Sequence, residues 1–131
     1  MYDVTVIGAG VIGGLTARAL TRYRLKVCIL ESESDVAMGA SGANSGIAHA
    51  GFDADTGTLK AKYNLLGAGM MPRVCEELGV KYRRNGSLVA AYTEEEEETL
   101  RILLARGVAN GVQGLSILSR EELFATEPNI S

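Results

Sequence analysis

The chain opens with Tyr2-Asp3-Val4-Thr5-Val6-Ile7-Gly8-Ala9-Gly10-Val11-Ile12-Gly13, and the reading of the fold starts from this stretch. Residues 2–7 are β-branched and apolar and run straight into a glycine, the pattern of a buried strand. Residues 11–23 carry helical spacing, with Ile12, Leu15, Ala19 and Leu20 predicted to share the core-facing side. Residues 26–31, Lys-Val-Cys-Ile-Leu-Glu, form a second continuous apolar run. Strand, helix and strand in this order make a βαβ unit, whose right-handed crossover places the two strands parallel and close together.

A glycine triplet of the form GxGxxG is weak as a string. It gains weight where it follows a strand and opens a helix, as here. In that context Gly8 permits the tight turn, Gly10 lets a diphosphate approach the backbone, and Gly13 lets the helix pack closely on the strand. The N–H groups around Val11 and Ile12 lack intrahelical acceptors and lie at the positive end of the helix dipole, which favours anions. Glu31, 21 positions after Gly10, ends the second strand. Its carboxylate can accept hydrogen bonds from the ribose hydroxyls of an adenosine, and it would repel a 2′-phosphate, which disfavours NADP. Ser32 follows at the same strand tip and joins the candidate set. The alternatives are a purely structural glycine turn and a solvated acid at a strand end.

A nicotinamide-binding domain continues from its acidic strand into another helix and a third parallel strand. This chain instead delivers a stretch over 32–57 that is rich in Gly, Ala, Ser and Asn and contains five glycines. Long glycine-rich connections inside a domain are usually functional or disordered. Apolar Ile47, Ala48 and Phe52 argue against disorder. Within Gly39-Ala40-Ser41-Gly42-Ala43-Asn44-Ser45-Gly46, small residues let the backbone lie flat against a ligand. Ser41, Asn44 and Ser45 offer hydrogen bonds to phosphates or a ring edge, which suits a cofactor extending beyond its adenosine half.

Further along, residues 58–78 read as a helix ending at Gly79, with Pro72 expected to kink or split it. Residues 80–84 and 87–92 are strand candidates joined by Asn85-Gly86, a strong hairpin signal. Thr93 caps a helix to about residue 109 whose first turn carries the acidic run Glu94 to Glu98, read as a solvated face. Residues 115–118 form a last short strand candidate. Ser119 and Glu122 make a capping box before a short helix closed by Pro128. The fold class is therefore α/β: a Rossmann-like cofactor-binding start over 1–57, then part of a second, antiparallel α+β subdomain over 58–131. Two strands cannot cover themselves, so the chain reads as a fragment.

The opening Val6-Ile7-Gly8-Ala9-Gly10-Val11-Ile12-Gly13-Gly14, with Glu31 and the loop from Gly39 to Asp53, resembles the D-amino-acid-oxidase superfamily of FAD enzymes. The stretches from Asn44 to Gly69, Arg83 to Ala91 and Leu118 to Ser131 are similar to two of its branches. These are the FAD-dependent glycerol-3-phosphate dehydrogenases and the L-2-hydroxyglutarate oxidases and dehydrogenases. The resemblance covers essentially the whole chain and implies FAD held by Gly8, Gly10, Val11, Ile12, Gly13, Glu31, Ser32, Ser41, Asn44, Ser45, Gly46 and His49. It further implies oxidation of a secondary alcohol on a small anionic substrate. Electrons would pass from flavin to a quinone, a partner protein or oxygen. Members of these branches are much longer than this chain, which puts catalysis by the segment alone in doubt.

His49 is the only histidine. Beside a flavin it would contact the ring or assist proton removal from an alcohol. Some superfamily members attach the flavin through a histidine in an HAAG-like string; His49-Ala50-Gly51 is one residue shorter. A plain structural histidine is the other reading. Lys60, Lys62, Arg83 and Arg84 would face an anionic substrate or simply solvent. The remaining alternatives are an amine-oxidising flavoenzyme of the same superfamily and a non-catalytic nucleotide-binding module.

A net charge of −3 argues against a nucleic-acid partner. Cys28 and Cys75 fit no metal or dithiol spacing and read as buried, reduced thiols. No run reaches the roughly 20 apolar residues of a membrane span. With no signal peptide in view, the expected location is the cytoplasm, with peripheral membrane association compatible.

Overall fold

The computed structural model describes residues 1–130, in the element order β1 (Val4–Ile7), α1 (Val11–Leu20), β2 (Val27–Leu30), α2 (Leu59–Leu78), α3 (Glu94–Asn110) and α4 (Arg120–Thr126). The chain divides into two units, Met1–Ile47 and a second beginning at Ala48.

In the first unit β1 and β2 pair in parallel, Val4 opposite Val27 and Ile7 opposite Leu30, as the crossover rule requires. The pairing is extended at both ends. Asp3 N–H donates to the Lys26 carbonyl at 2.9 Å, Lys26 N–H donates to the Asp3 carboxylate at 2.7 Å, and Gly8 N–H reaches the Leu30 carbonyl at 2.7 Å. Burial alternates along β1, with Val4 and Val6 half-buried and Thr5 and Ile7 exposed. The strand is thus covered on one face only, where a buried strand was expected.

Helix α1 covers that face, and of the four residues its periodicity suggested only Leu20 takes part. Ile12 is 81% exposed and Leu15 41%, whereas Ala17 is buried, with Gly13 and Leu20 half-buried. The reason is steric. A Cβ on Gly13 would stand 1.9 Å from the Gly8 carbonyl oxygen and 3.4 Å from Val6 Cγ1. The helix therefore lies against the strand along Gly13, Ala17 and Leu20, spaced i, i+4, i+7, and the close approach at Gly13 requires a residue without a side chain. The helix also ends at Leu20, before the expected Tyr23. Thr21 follows as its cap, its hydroxyl donating to the Arg18 carbonyl at 2.7 Å.

The second unit is built on helices. α2 starts at Thr58, whose hydroxyl accepts from Ala61 N–H at 3.2 Å, and runs through Pro72 as one element, so the proline does not divide it. It stops at Gly79, which takes φ +66; Val80 N–H then returns to the Cys75 carbonyl at 2.8 Å and Gly79 N–H to Glu76 at 3.1 Å, a Schellman ending. α3 opens on a reciprocal capping box. Thr93 Oγ1 accepts from Glu96 N–H, and the Glu96 carboxylate accepts from Thr93 N–H, both at 3.2 Å. The acidic run sits in this first turn, and Arg101 one turn on pairs with Glu98 at 2.9 Å and Glu97 at 3.4 Å. α4 has the predicted box between Ser119 and Glu122. The small core of this unit holds Ala54, Ala61, Cys75 and Val112. Gly107 is buried against Phe52 and Leu115, with no room for a Cβ. Cys28 and Cys75 are both free thiols, Cys75 buried and Cys28 only half-buried.

The hairpin does not form. Residues 80–92 and 115–118 carry no strand among the described residues. The predicted two-residue turn needs positive φ at both central positions. Gly86 has it at +76, but Ala37 is the only described non-glycine residue with positive φ, so Asn85 stays on the ordinary side. Leu88 and Val89 remain 44% and 51% exposed. A lone two-stranded ladder with little covering it is marginal in water, and turn chemistry alone does not hold one.

The two neighbouring glycines of α1 make the packing testable. Gly13→Ala forces the Gly8 backbone to move and is expected to destabilise the protein by about 1–3 kcal/mol. Gly14→Ala meets nothing within 4 Å and is expected to stabilise it by up to about 1 kcal/mol through helix propensity. Urea midpoints of the two variants, moving in opposite directions, check this.

Candidate functional site

The turn between β1 and α1 carries the glycine fingerprint. Gly8 adopts φ +95, a conformation that side chains disfavour, and this swings the chain from the strand tip into the helix. Helix α1 then begins at Val11 with Gly10 as its N-cap, and Gly10 offers no side chain to the orphan amides. Helix geometry leaves the first-turn amides of Val11, Ile12 and Gly13 without intrahelical acceptors.

Glu31 closes over this turn from the end of β2. One carboxylate oxygen accepts from Ala9 N–H at 2.7 Å. The other accepts from Ser32 N–H at 2.7 Å, Glu33 N–H at 3.1 Å and the Ser32 hydroxyl at 3.2 Å. These donors favour the charged form and hold the Glu31 carboxyl at about 2, well below its ordinary 4.5. The Ala9 amide contributes most, then those of Glu33 and Ser32. Glu31 therefore lies at the glycine turn as a permanent anion, and Ser32 takes part by donating twice to it.

The loop that follows folds back on the same turn. Ala37 takes φ +59 and its N–H donates to the Ala9 carbonyl at 3.2 Å. Ser41 Oγ accepts from Val11 N–H at 2.8 Å. Asn44 spends its side chain on the loop itself, donating to the Ser41 carbonyl at 2.5 Å and accepting from Gly46 N–H at 2.7 Å. Ser45 is exposed. Gly8, Gly10, Val11, Ile12, Gly13, Glu31, Ser32, Ser41, Asn44 and Gly46 are thus brought into one connected arrangement within the first unit. Ala9 and Ala37, which supply backbone groups to it, carry no chemical signature that spacing could reveal.

His49 belongs to the second unit and is exposed, with no hydrogen bond or ion pair among the described residues. Near it the loop at 51–55 is tied to α3. Asn110 Nδ2 donates to the carbonyls of Gly51 at 2.9 Å and Ala54 at 2.7 Å, and Arg106 donates to the Asp53 carbonyl at 3.1 Å and faces Asp55 at 3.4 Å. Asn110 and Arg106 were not singled out in the sequence, because nothing in a helix's pattern says which distant carbonyls its side chains will meet. Of the basic residues considered for substrate, Lys60 pairs with Asp53 at 3.6 Å and Lys62 lies over the Tyr63 ring. The second unit also holds an open groove of about 700 Å³ bordered by Leu88, Leu100, Leu104, Leu115 and Phe124. It is lined largely by hydrocarbon and lacks the glycine-turn amides and carboxylate, so the first unit carries the candidate site.

Known proteins resemble this chain in sequence and fold. Residues 3–131 match the family model described as FAD dependent oxidoreductase, DAO. A glycerol 3-phosphate dehydrogenase of Caloramator mitchellensis is 49% identical over all of this chain, which covers 27% of that protein. The mitochondrial L-2-hydroxyglutarate dehydrogenase of Homo sapiens is 35% identical over 97% of the chain and 28% of its own length. Among solved structures, the dithionite-reduced L-alpha-glycerophosphate oxidase of Mycoplasma pneumoniae with FAD bound superposes with a TM-score of 0.85 at 36% identity. That alignment covers 99% of this chain and 35% of the oxidase. The chain thus spans about a third of the length of the relatives it matches. Among the described residues no helix is long and apolar enough to cross a membrane.

The depressed Glu31 carboxyl has a signed consequence. Its folded value lies below the unfolded one, so its contribution to stability is present above about pH 4.5 and is lost as pH falls toward 2. Urea titrations between pH 6 and pH 3 are expected to show an acid-dependent loss of stability that is smaller in Glu31→Gln, and the Glu31 carboxyl resonance should titrate near 2.

Proposed function

The chain belongs to the DAO family of FAD dependent oxidoreductases, and from that premise we propose that it supplies the FAD-anchoring part of an enzyme that oxidises the secondary alcohol of a small anionic substrate. The observation that carries the reading is the Glu31 carboxylate bonded to Ala9 N–H beside the leading turn of α1. It puts a fixed anion next to first-turn amides, the two features that an adenosine diphosphate unit requires.

These residues fit the group. The Ile12 and Gly13 amides of α1's first turn would bind the diphosphate, with the Ser41 hydroxyl, which accepts from Val11 N–H, beside them. Glu31 would accept from a ribose hydroxyl with the lone pair that Ala9 N–H leaves on one carboxylate oxygen, the other oxygen being taken by Ser32 and Glu33. Gly46 and Ser45 would carry the chain along the cofactor toward its flavin end, and His49 would contact the flavin or the substrate there. FAD, when bound, supplies the hydride acceptor: the carbinol carbon loses a hydride, its hydroxyl loses a proton, and the alcohol becomes a ketone. The residues described here bind and orient; His49 is the candidate for holding the hydroxyl proton. The electron acceptor would be a quinone, a partner protein or oxygen, and the protein would work in the cytoplasm or at the membrane surface.

Glycerol 3-phosphate is the favoured substrate and L-2-hydroxyglutarate the second. The 49% identity to a glycerol 3-phosphate dehydrogenase, against 35–38% to the 2-hydroxyglutarate enzymes, supports that order. We further propose that the cofactor-binding part extends over residues 1–57 and that residues 58–131, which form helices and no strand among the described residues, contribute to a second, antiparallel α+β region of the longer protein.

Two measurements test the reading. The full-length protein should purify yellow, and anaerobic glycerol 3-phosphate should bleach its flavin absorbance faster than L-2-hydroxyglutarate, with glycine inert. A colourless protein, or one bleached only by glycine, overturns the assignment. Glu31→Ala should weaken FAD binding roughly 10- to 100-fold through loss of a charge-assisted acceptor. Unchanged affinity by flavin fluorescence quenching would remove Glu31 from the site.

A further inference from the structure

The second glycine of the fingerprint is usually explained by the ligand: a side chain there would block the diphosphate. In this protein something else already stands in the way. A Cβ built on Gly10 would lie 3.0 Å from Ser41 Oγ, tighter than an ordinary van der Waals contact, and 3.9 Å from Ser41 Cβ. That hydroxyl is the acceptor for Val11 N–H at 2.8 Å. Helix α1 has no cap from its own N-cap residue, so its cap comes from a serine thirty positions later in the chain.

We propose that Gly10 and Ser41 form an interlock that shapes the diphosphate site before any cofactor arrives. Ser41 is a positioning residue. Its hydroxyl accepts the Val11 amide and thereby pins the loop over 37–46 to the start of α1. A Cβ at Gly10 would press on that hydroxyl and push it off the Val11 amide by a few tenths of an ångström. Three further features brace the same loop: the Ala37 N–H bond to the Ala9 carbonyl, the Asn44 bond to the Ser41 carbonyl, and Gly42, whose Cβ would come within 2.5 Å of the Ala37 oxygen. Ser41 is half-buried, while residues 42–46 are exposed. As an acceptor from Val11 the hydroxyl still has its own proton to give. It can therefore pass the helix's polarity on to a phosphate oxygen instead of competing with it.

The part concerning FAD rests on the function proposed above; the interlock itself does not. Both are read on the full-length protein by a double-mutant cycle of Gly10→Ala, Ser41→Ala and the pair. In protein stripped of cofactor, amide exchange is followed at Val11 and across residues 37–46. Each single change is expected to speed exchange several-fold, and the pair no more than Ser41→Ala alone, because Gly10→Ala has nothing left to displace. Ser41→Thr, which keeps the hydroxyl, should restore protection in the Gly10 background. Additive effects in the cycle, or full protection in Ser41→Ala, overturn the interlock. In a separate arm, FAD affinity should fall about tenfold in Ser41→Ala and recover in Ser41→Thr. Affinity that is unchanged or tighter would make the hydroxyl a mere occupant that the phosphate displaces, and would overturn its relay to the cofactor. A wild-type protein that binds no FAD defeats the proposed function, while the exchange arm still decides the interlock.

Discussion

One hydrogen bond organises the first unit, that from the Ala9 amide to the Glu31 carboxylate. It joins the tip of β2 to the turn that follows β1. The same carboxylate gathers the amides of Ser32 and Glu33, so the chain leaving the sheet is turned by the group that fixes the glycine loop. A neutral side chain of similar shape would accept these bonds more weakly, since a charged acceptor roughly doubles their strength. The acid is therefore a structural member of the loop as well as a candidate ligand for a sugar, for which one lone pair remains on the oxygen that accepts from Ala9.

What could be read from residue order follows from what each signal contains. The βαβ unit, the glycine turn, the Thr93 cap, the Ser119–Glu122 capping box and the Gly79 ending rest on short-range signals, and all appear where the pattern placed them. The core face of α1 was misjudged because hydrophobicity pointed to Ile12 and Leu15, while proximity to the strand is decided by size. Gly13 and Ala17 come close where Ile12 and Leu15 do not, and only Leu20 of the expected set packs there. The hairpin failed for the opposite reason. Asn85-Gly86 is a good turn sequence, but strand pairing needs surfaces from elsewhere, and a turn does not carry that information.

For the candidate site, the glycines and Glu31 were legible because spacing encodes a strand tip next to a helix start. The motif said nothing of Ser41 meeting Val11 N–H, or of Asn44 being consumed within its own loop. These are contacts across 30 and 3 positions set by how one loop folds back. Family membership adds the identity of the cofactor, which the amides and the carboxylate alone would leave open between several adenine dinucleotides.

The ties between Asn110 and the carbonyls of Gly51 and Ala54 run backwards along the chain over 59 and 56 positions. On the ribosome, the segment at 51–55 emerges long before the helix that holds it. Synthesis at about 5–20 residues per second leaves it several seconds without its anchor, whereas the glycine turn meets Glu31 after only 22 positions. The glycine turn can therefore close on Glu31 while the 51–55 loop still lacks its helix, and a chaperone acting on the nascent polypeptide would find that later loop still waiting.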